Sequence, residues 1–319
     1  MTFRPNDLLT YMKNWYAIAN PISGRGVIRR EWASLQQRIS RQLPVEEFVL
    51  TEYPGHAMEL AQRAVEKGYR KLLAIGGDGT NHEVANGILR QQTVASTEVT
   101  HALLPIGTGN DWIRTHGIPR DIDKALAVIQ AGNTRLQDVG LARYYRDGQP
   151  QERYFINVAG MAYDGYIGKR AGESRFTQGS KLMYLFLVFK CLFEYELQPA
   201  IVYVDSRKIE GRFYTINLGI GRYSGGGMQL VPHARPDDGQ FAVTLGGTIS
   251  KLGVLLNTYR FYNGSIGRHP KVETFQARQA RIIAPTGALP TLLEADGEFL
   301  GETPVEFVLL EQALRFAAP

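Results

Sequence analysis

The segment KLLAIGGDGTNHEVANGIL runs from an apolar strand into Gly76, Gly77, Asp78, Gly79 and Thr80, and then into a helical pattern. Glycines at that place permit positive φ and close backbone approach, while a helix start presents unpaired amides to an anion. The chemistry this suits is the cradling of phosphate. A carboxylate such as Asp78 would repel phosphate unless a cation such as Mg²⁺ joined the two. Thr80 and Glu83 also match a Thr-x-x-Glu capping box with Thr80 as N-cap, which is compatible with a phosphate loop. A second loop of the same type, Pro105 to Asp111 (PIGTGND), again ends small residues in a carboxylate. A third, Asn20 to Gly24 (NPISG), either approaches the same ligand or is an ordinary Asn-Pro turn.

Such loops must be held by strands. WYAIAN (15–20) reads as a strand, and Trp32, Leu35, Ile39 and Leu43 recur at helical spacing after it. Short apolar runs follow at 47–51, 71–75 and 101–106, with helical patterns at 57–66, 81–89 and 121–130. Repeated βα units imply a parallel sheet covered by helices, with ligands at the C-terminal edge of the strands. From about Asn133 the pattern turns β-rich. Asp147-Gly148 separates two strand-like runs, 199–205 pairs with 212–220, and further strands are expected at 239–246, 281–284, 291–294 and 305–310. Helices are expected around Leu185 and over 250–261. The reading is therefore two domains, 1–132 and 133–319, with the last strand packing back on the first.

Of 319 residues, 44% are apolar and 21% charged, with a formal charge of +5. That balance belongs to a folded globular protein and excludes disorder as the main state. The single cysteine, Cys191, cannot form an internal disulfide, and its apolar surroundings predict a buried, inert thiol in a reducing, cytoplasmic compartment. The N-terminal MTFRPNDLLTYMKN lacks the apolar core of a secretory signal, and no apolar run is long enough to span a bilayer. The longest, Met183 to Phe193 with Lys181 and Lys190 beside and within it, reads as a core helix or an amphipathic surface that meets lipid. Several chemistries are excluded by inspection. There is no Walker-type phosphate loop, no G-x-G-x-x-G after the first strand and no G-x-S-x-G elbow, and Asn86 stands where a zinc-binding HExxH needs its second His.

GGDGT at 76–80, GTGND at 107–111, NPISG at 20–24 and DGE at 296–298 together resemble the diacylglycerol kinase catalytic family, which includes sphingosine and ceramide kinases and bacterial lipid kinases. GGDGT alone is shared with NAD kinases; the ordered set separates them. The resemblance covers about 20 to 310. It implies an α/β plus β fold: a doubly wound α/β nucleotide-binding domain, then a C-terminal β-sandwich domain, with the active site in the cleft between them.

On matching positions, the resemblance implies that Gly76, Gly77, Asp78, Gly79, Thr80, Asn81 and His82 hold the phosphates of ATP. Asn20, Thr51, Gly107, Thr108 and Asn110 would complete the nucleotide site, and Asp78 and Asp111 would organise Mg²⁺. Glu298 matches the family's proton acceptor, with Asp296 as a competitor for that role. RPDDGQF at 235–241 resembles a structural metal loop, with carbonyls from Arg235 and Gln240 and the carboxylate of Asp238. Arg222, Tyr223 and Gly225 to Gly227, after a strand, are expected to line the cleft. The expected activity is transfer of the γ-phosphoryl group of ATP to a lipid hydroxyl by an enzyme that is cytoplasmic and peripheral at the membrane, with no nucleic acid partner. The alternatives are an NAD kinase and a catalytically silent nucleotide- and lipid-binding regulator. Neither the lipid nor the oligomeric state is legible.

Overall fold

The computed structural model describes residues 13–173 and 181–319; the first twelve residues, which include most of the N-terminal segment considered as a secretory signal, lie outside it. The chain divides into two compact units. One comprises residues up to Gln137 together with Gln312–Pro319, the other Asp138–Glu311. The chain thus leaves the first unit after Gln137, a few residues beyond the expected change of pattern at 133, and returns to it for the last eight.

The first unit alternates strands and helices: β1 (Trp15–Ala19), α1 (Ser23–Ser40), β2 (Val45–Leu50), α2 (His56–Glu66), β3 (Lys71–Gly76), α3 (Asp78–Arg90), β4 (Thr100–Pro105), α4 (Asp111–His116) and α5 (Ile122–Ala131). β1 to β4 pair with one another in parallel. β1 lies between β2 and β3, β4 follows β3, and Arg315 and Phe316 of the returning chain pair with Thr100 and His101 at the outer side of β4. β1, β3 and β4 are almost wholly buried, as strands covered by helices on both faces must be, so they read as continuous apolar runs. The register sets the strand ends level: Ala19 faces both Leu50 and Ile75, and Gly76 faces Pro105. Loops leaving β1, β2, β3 and β4 therefore start from one edge of the sheet.

Beneath that edge lies an aromatic cluster. The Trp112 ring centroid is 4.6 Å from that of His116 and 5.2 Å from that of Phe316, and the Trp112 indole N–H donates to Gln137 Oε1 at 2.9 Å. His101 and His116 are buried, and desolvation pulls the pKa of each from 6.5 down to about 3. Both are neutral in the fold and must gain a proton when it opens below pH 6.5. The unfolded chain then binds more protons between about pH 3 and 6.5, so stability is lost as pH falls through that window, by about 2 kcal/mol per histidine at pH 5. Melting temperature measured from pH 7 to pH 5 is expected to fall. In His116→Phe the fall should be shallower, and the difference in slope isolates the histidine from the carboxyls.

The second unit is mainly antiparallel. Its elements are β5 (Thr134–Arg146, whose first residues belong to the first unit), β6 (Gln149–Phe155), β7 (Val158–Ala162), α6 (Tyr163–Glu173), α7 (Lys181–Glu194), β8 (Gln198–Val204), β9 (Arg207–Phe213), β10 (Thr215–Gly219), β11 (Phe241–Gly246), α8 (Lys251–Leu256), α9 (Tyr259–Asn263), β12 (Val272–Ala277), β13 (Gln279–Ile283), β14 (Leu292–Ala295) and β15 (Glu298–Ala317). One run of strands is ordered β12-β11-β10-β7-β14-β15; β13 joins β15 to β8, and β8 pairs with β9. The strands enclose an apolar core that includes Phe155, Phe241 and Phe307. Asp147-Gly148 makes the expected β5–β6 turn, with positive φ at both residues. The expected strand 212–220 is divided between β9 and β10, and the expected helix 250–261 between α8 and α9.

α6 lies tight on β14. A Cβ placed on Gly165 would sit 2.2 Å from the Leu292 carbonyl oxygen, so the helix approaches this closely only because that position is glycine. α7 is the expected apolar helix; the side chains of residues 181–185, including Lys181, lie outside the described set. Cys191 is buried and free, with burial pushing its thiol pKa up, as expected of an inert thiol. Among the described residues no helix is long and apolar enough to cross a membrane.

Candidate active site

Three loops meet at the sheet edge of the first unit. α3 begins at Asp78, immediately after β3, and Gly77 is its extended N-cap. A Cβ on Gly107 would lie 2.4 Å from Gly77 Cα, and one on Gly76 would lie 2.4 Å from Thr80 Oγ1 and 3.2 Å from Ser23 Oγ. A Cβ on Gly24 would meet Ile106 Cγ2 at 2.9 Å. GGDGT, GTGND and NPISG are therefore packed closely together, and the three-loop arrangement requires its glycines. Gly24, Arg25 and Gly26 are left-handed in succession, so the third loop is a built turn rather than the simple opening of a helix.

Asp78 sits where these loops converge. Its Oδ1 accepts the backbone N–H of Asp111 at 2.9 Å and that of Trp112 at 3.3 Å, capping α4. Burial, and then the charge of Asp111, raise its carboxyl to about 6, against the pull of those backbone donors. A Cβ on Gly109 would lie 2.8 Å from Asp78 Oδ2 and 3.7 Å from Asp111 Oδ2, so the two carboxylates converge over a glycine. Like charges brought together in this way suit a shared cation. Arg114 lies 3.4 Å from Asp111 Oδ1, and the exposed Arg120 donates to the Gly109 carbonyl. Arg120 brings a cation to the loop, which sequence reading missed because it stands outside the motif.

Other expected nucleotide contacts divide by where their side chains point. Thr108 is exposed on its loop, Asn110 is left-handed and donates to the Gly107 carbonyl at 3.0 Å, and Thr51 follows β2 at the same edge, its N–H bonded to the Ala19 carbonyl. Asn20 Oδ1 accepts Ile22 N–H at 3.1 Å. Asn81 and His82 turn inward. Asn81 Oδ1 accepts His101 Nε2–H at 2.5 Å, and His82 is fully buried beside Asn86, so only the backbones of these two residues are placed to meet a phosphate. The capping box is also reassigned. Gly77 rather than Thr80 caps α3, while the Glu83 carboxylate accepts Gly55 N–H at 2.8 Å and Ala57 N–H at 3.0 Å and so caps α2.

In the second unit, DGE forms the β14–β15 turn, with positive φ at Asp296 and Gly297. The Asp296 carboxylate accepts three backbone N–H groups, those of Ile156 (2.9 Å), Asn157 (3.0 Å) and Val158 (3.1 Å). Both carboxylate oxygens are thus engaged by backbone donors, and Asp296 ties the turn to the start of β7. Glu298 is partly exposed at the start of β15.

Beside the turn, α6, α7, α8, β10 and β14 surround a cavity of about 180 Å³, walled by Ile167, Val188, Leu192, Leu230, Val254 and Phe261. Gly225 lines it as expected, whereas Arg222 donates instead to the Ala234 carbonyl. The cavity also exposes Asp164 and Glu294, which the sequence reading did not single out. The signal available was a charged residue inside a short apolar strand, LLEA.

The loop at 235–241 is closed by protein hydrogen bonds. Asp238 Oδ1 accepts Gln240 N–H and its Oδ2 the Gln276 amide, while the buried Asp138 accepts Gly239 N–H at 2.8 Å. Among the described residues no group of three or more His, Cys, Asp or Glu converges as a metal cluster. Any ion bound at this loop would therefore depend on the carbonyls of Arg235 and Gln240 together with Asp238.

Comparison with known proteins places these features. A family model described as the diacylglycerol kinase catalytic domain matches residues 14–142, and one described as the YegS C-terminal NAD kinase beta sandwich-like domain matches 157–318. A curated diacylglycerol kinase of Staphylococcus epidermidis is 30% identical over 95% of this chain and 91% of its own length, and one of Staphylococcus aureus is equally similar. A crystal structure of a diacylglycerol kinase from Bacillus anthracis superposes with a TM-score of 0.70 at 22% identity, covering 97% of this chain and 98% of that one. Yeast NADH kinase superposes with a TM-score of 0.51 at 10% identity, over 97% of this chain and 85% of that one, a likeness of fold alone.

Proposed function

Because the chain belongs to the diacylglycerol kinase catalytic family, we propose that it is an ATP-dependent lipid kinase in which the first unit holds the donor phosphates and the second the lipid hydroxyl. The observation that carries this reading is the convergence of Asp78 and Asp111 over Gly109, among three loops with no room for side chains at their contacts. Backbone amides of Gly77 to Thr80 would hold phosphate oxygens, and Asp78 and Asp111 would hold Mg²⁺. The ion's part is to offset phosphate charge, while the residues fix where the phosphoryl group lies. Glu298 would accept the proton of the attacking hydroxyl. It stands next to Gly297, which lines the acceptor cavity. The NAD-kinase alternative has a likeness of fold in its favour, but it leaves an apolar cavity without a use.

The test is incubation of the purified protein with Mg²⁺, labelled ATP and detergent-dispersed total lipid extract. Label in the organic phase that depends on Glu298 supports the reading. Label on NAD, or none despite ATP binding, overturns it.

A lipid acceptor also requires a face that meets the bilayer. Phe186 and Phe193 of α7, Leu252 and Leu256 of α8 and Tyr259 of α9 are more than half exposed, and Lys251 donates to the Phe193 carbonyl, holding α8 beside the end of α7. These apolar tips, with Lys190 and Lys251 near them, form the peripheral membrane contact in this reading. Paired Phe193→Ser and Leu256→Ser changes should lower co-sedimentation with vesicles at least about tenfold, since each buried side chain contributes roughly 1.5–3 kcal/mol. Turnover of a monomeric short-chain acceptor should be unaffected.

A further inference from the structure

The polar floor of the apolar cavity is built from three elements. Asp164 lies in the first turn of α6, Thr215 opens β10, and Glu294 lies in β14 beside a register shift between Leu293 and Glu294. Such irregularities re-aim side chains. Thr215 donates its hydroxyl to Asp164 Oδ2 and accepts from Asn217 Nδ2 at 2.6 Å; Glu294 Oε2 accepts Gly297 N–H at 2.9 Å. The other side of the cluster closes over Gly160. A Cβ there would sit 2.6 Å from Glu294 Oε1, 2.7 Å from Asp164 Cβ and 3.1 Å from Asn217 Oδ1. Asn217 is fully buried and its Oδ1 has no partner. A partly buried carboxyl, a buried one and an unfilled buried acceptor under an apolar cavity are expensive unless a ligand donates hydrogen bonds to them.

Among the described residues no Lys, Arg or His lines the cavity. Burial, and for Glu294 also the charge of Asp164, raises both carboxyls, Asp164 to about 6 and Glu294 well above its ordinary value. Two carboxyls set side by side in this way favour sharing one proton, and leaving one negative charge, over carrying two bare charges. A headgroup bearing phosphate would set a second negative charge beside that one, with no cation among the described lining residues to offset it. A hydroxyl or ammonium would instead donate to the charged carboxyl of the pair, and the carboxyl that keeps the proton would donate to an ester or hydroxyl oxygen.

Resting on the lipid-kinase reading, we propose that Asp164 and Glu294 form the acceptor's headgroup subsite. It selects lipid alcohols whose headgroup is uncharged or cationic and donates a hydrogen bond, and it turns away those bearing phosphate. Thr215 is a positioning residue that fixes the Asp164 carboxylate.

The test uses the full chain with three acceptors in detergent micelles at equal surface fraction: diacylglycerol, a sphingoid base and phosphatidylglycerol. Retention of each radiolabelled lipid by immobilised protein is measured without ATP, and phosphoryl transfer with it. Retention of diacylglycerol, the sphingoid base or both, with phosphatidylglycerol held at least about 100-fold more weakly, is the expected result; which of the first two is held separates a glycerolipid source from an amino-alcohol source. Asp164→Asn should weaken retention and raise the acceptor KM at least about tenfold, leave the ATP KM unchanged and narrow the gap to phosphatidylglycerol. Thr215→Val, which removes only the hydroxyl that holds Asp164, should act in the same direction and serves if Asp164→Asn melts early. Equal retention of phosphatidylglycerol by the parent protein, or unchanged retention and acceptor KM in both variants, overturns the proposal. Retention in the expected pattern with no label transferred to any lipid overturns the kinase reading and leaves the subsite standing.

Discussion

Asp78→Asn is expected to abolish phosphoryl transfer while leaving the fold intact. The side chain has two separable tasks. Its Oδ1 accepts the N–H groups of Asp111 and Trp112, and an asparagine oxygen at the same place still accepts them, so the cap on α4 survives. Its charge, with that of Asp111, is what would hold the cation, and asparagine does not supply it. Losing one anionic ligand from a site that offsets phosphate charge should lower kcat by about 10³ or more, roughly 4 kcal/mol of transition-state stabilisation. Removing a like charge from beside Asp111 should leave the melting temperature in Mg²⁺-free buffer unchanged or higher. Near-normal turnover in Asp78→Asn, measured in the labelled-lipid assay, would refute the metal assignment. Asp78→Ala is the informative contrast, because it also takes away the cap and should lose stability by about 1 kcal/mol.

The close packing of the glycine loops was legible because its physics is local. A strand that ends in glycines and a carboxylate announces a close backbone approach, and Gly76, Gly77, Gly107 and Gly109 are each placed where a Cβ would collide or crowd. What sequence alone did not yield depends on contacts between distant positions. Glu83 matches a capping box for its own helix, but its partners are Gly55 and Ala57, which only the packing of α2 against α3 brings near. Asn81 and His82 follow the glycine loop, yet α3 turns both side chains toward the core, where His101 waits on a neighbouring strand. The apolar stretch at α7 was read without knowing which side chains would line a cavity. Val188 and Leu192 do, while Phe186 and Phe193 face outward. Asp164 and Glu294 lie 130 positions apart in sequence and acquire meaning only when β10, β14 and α6 assemble around Gly160.

DGE places two carboxylates within three residues, and substitutions should separate their roles cleanly. Glu298→Gln keeps the size and turn geometry but cannot take a proton. It should lower kcat by about 10²–10⁴, the range typical of a lost general base, with the acceptor KM and the melting temperature little changed. Asp296→Ala should do something different. Its carboxylate binds three backbone N–H groups at the start of β7, and removing it leaves those donors facing a vacated space beside the turn. Unsatisfied buried donors cost about 1–3 kcal/mol each, so the variant should melt several degrees lower. Asp296→Asn retains one acceptor oxygen and should fall between. If Asp296→Asn instead matched Glu298→Gln in kcat with no loss of stability, the assignment of base and anchor would have to be exchanged. The three hydrogen bonds argue for Glu298 as base and Asp296 as anchor, since both Asp296 oxygens already serve backbone donors, whereas Glu298 stands partly exposed at the start of β15.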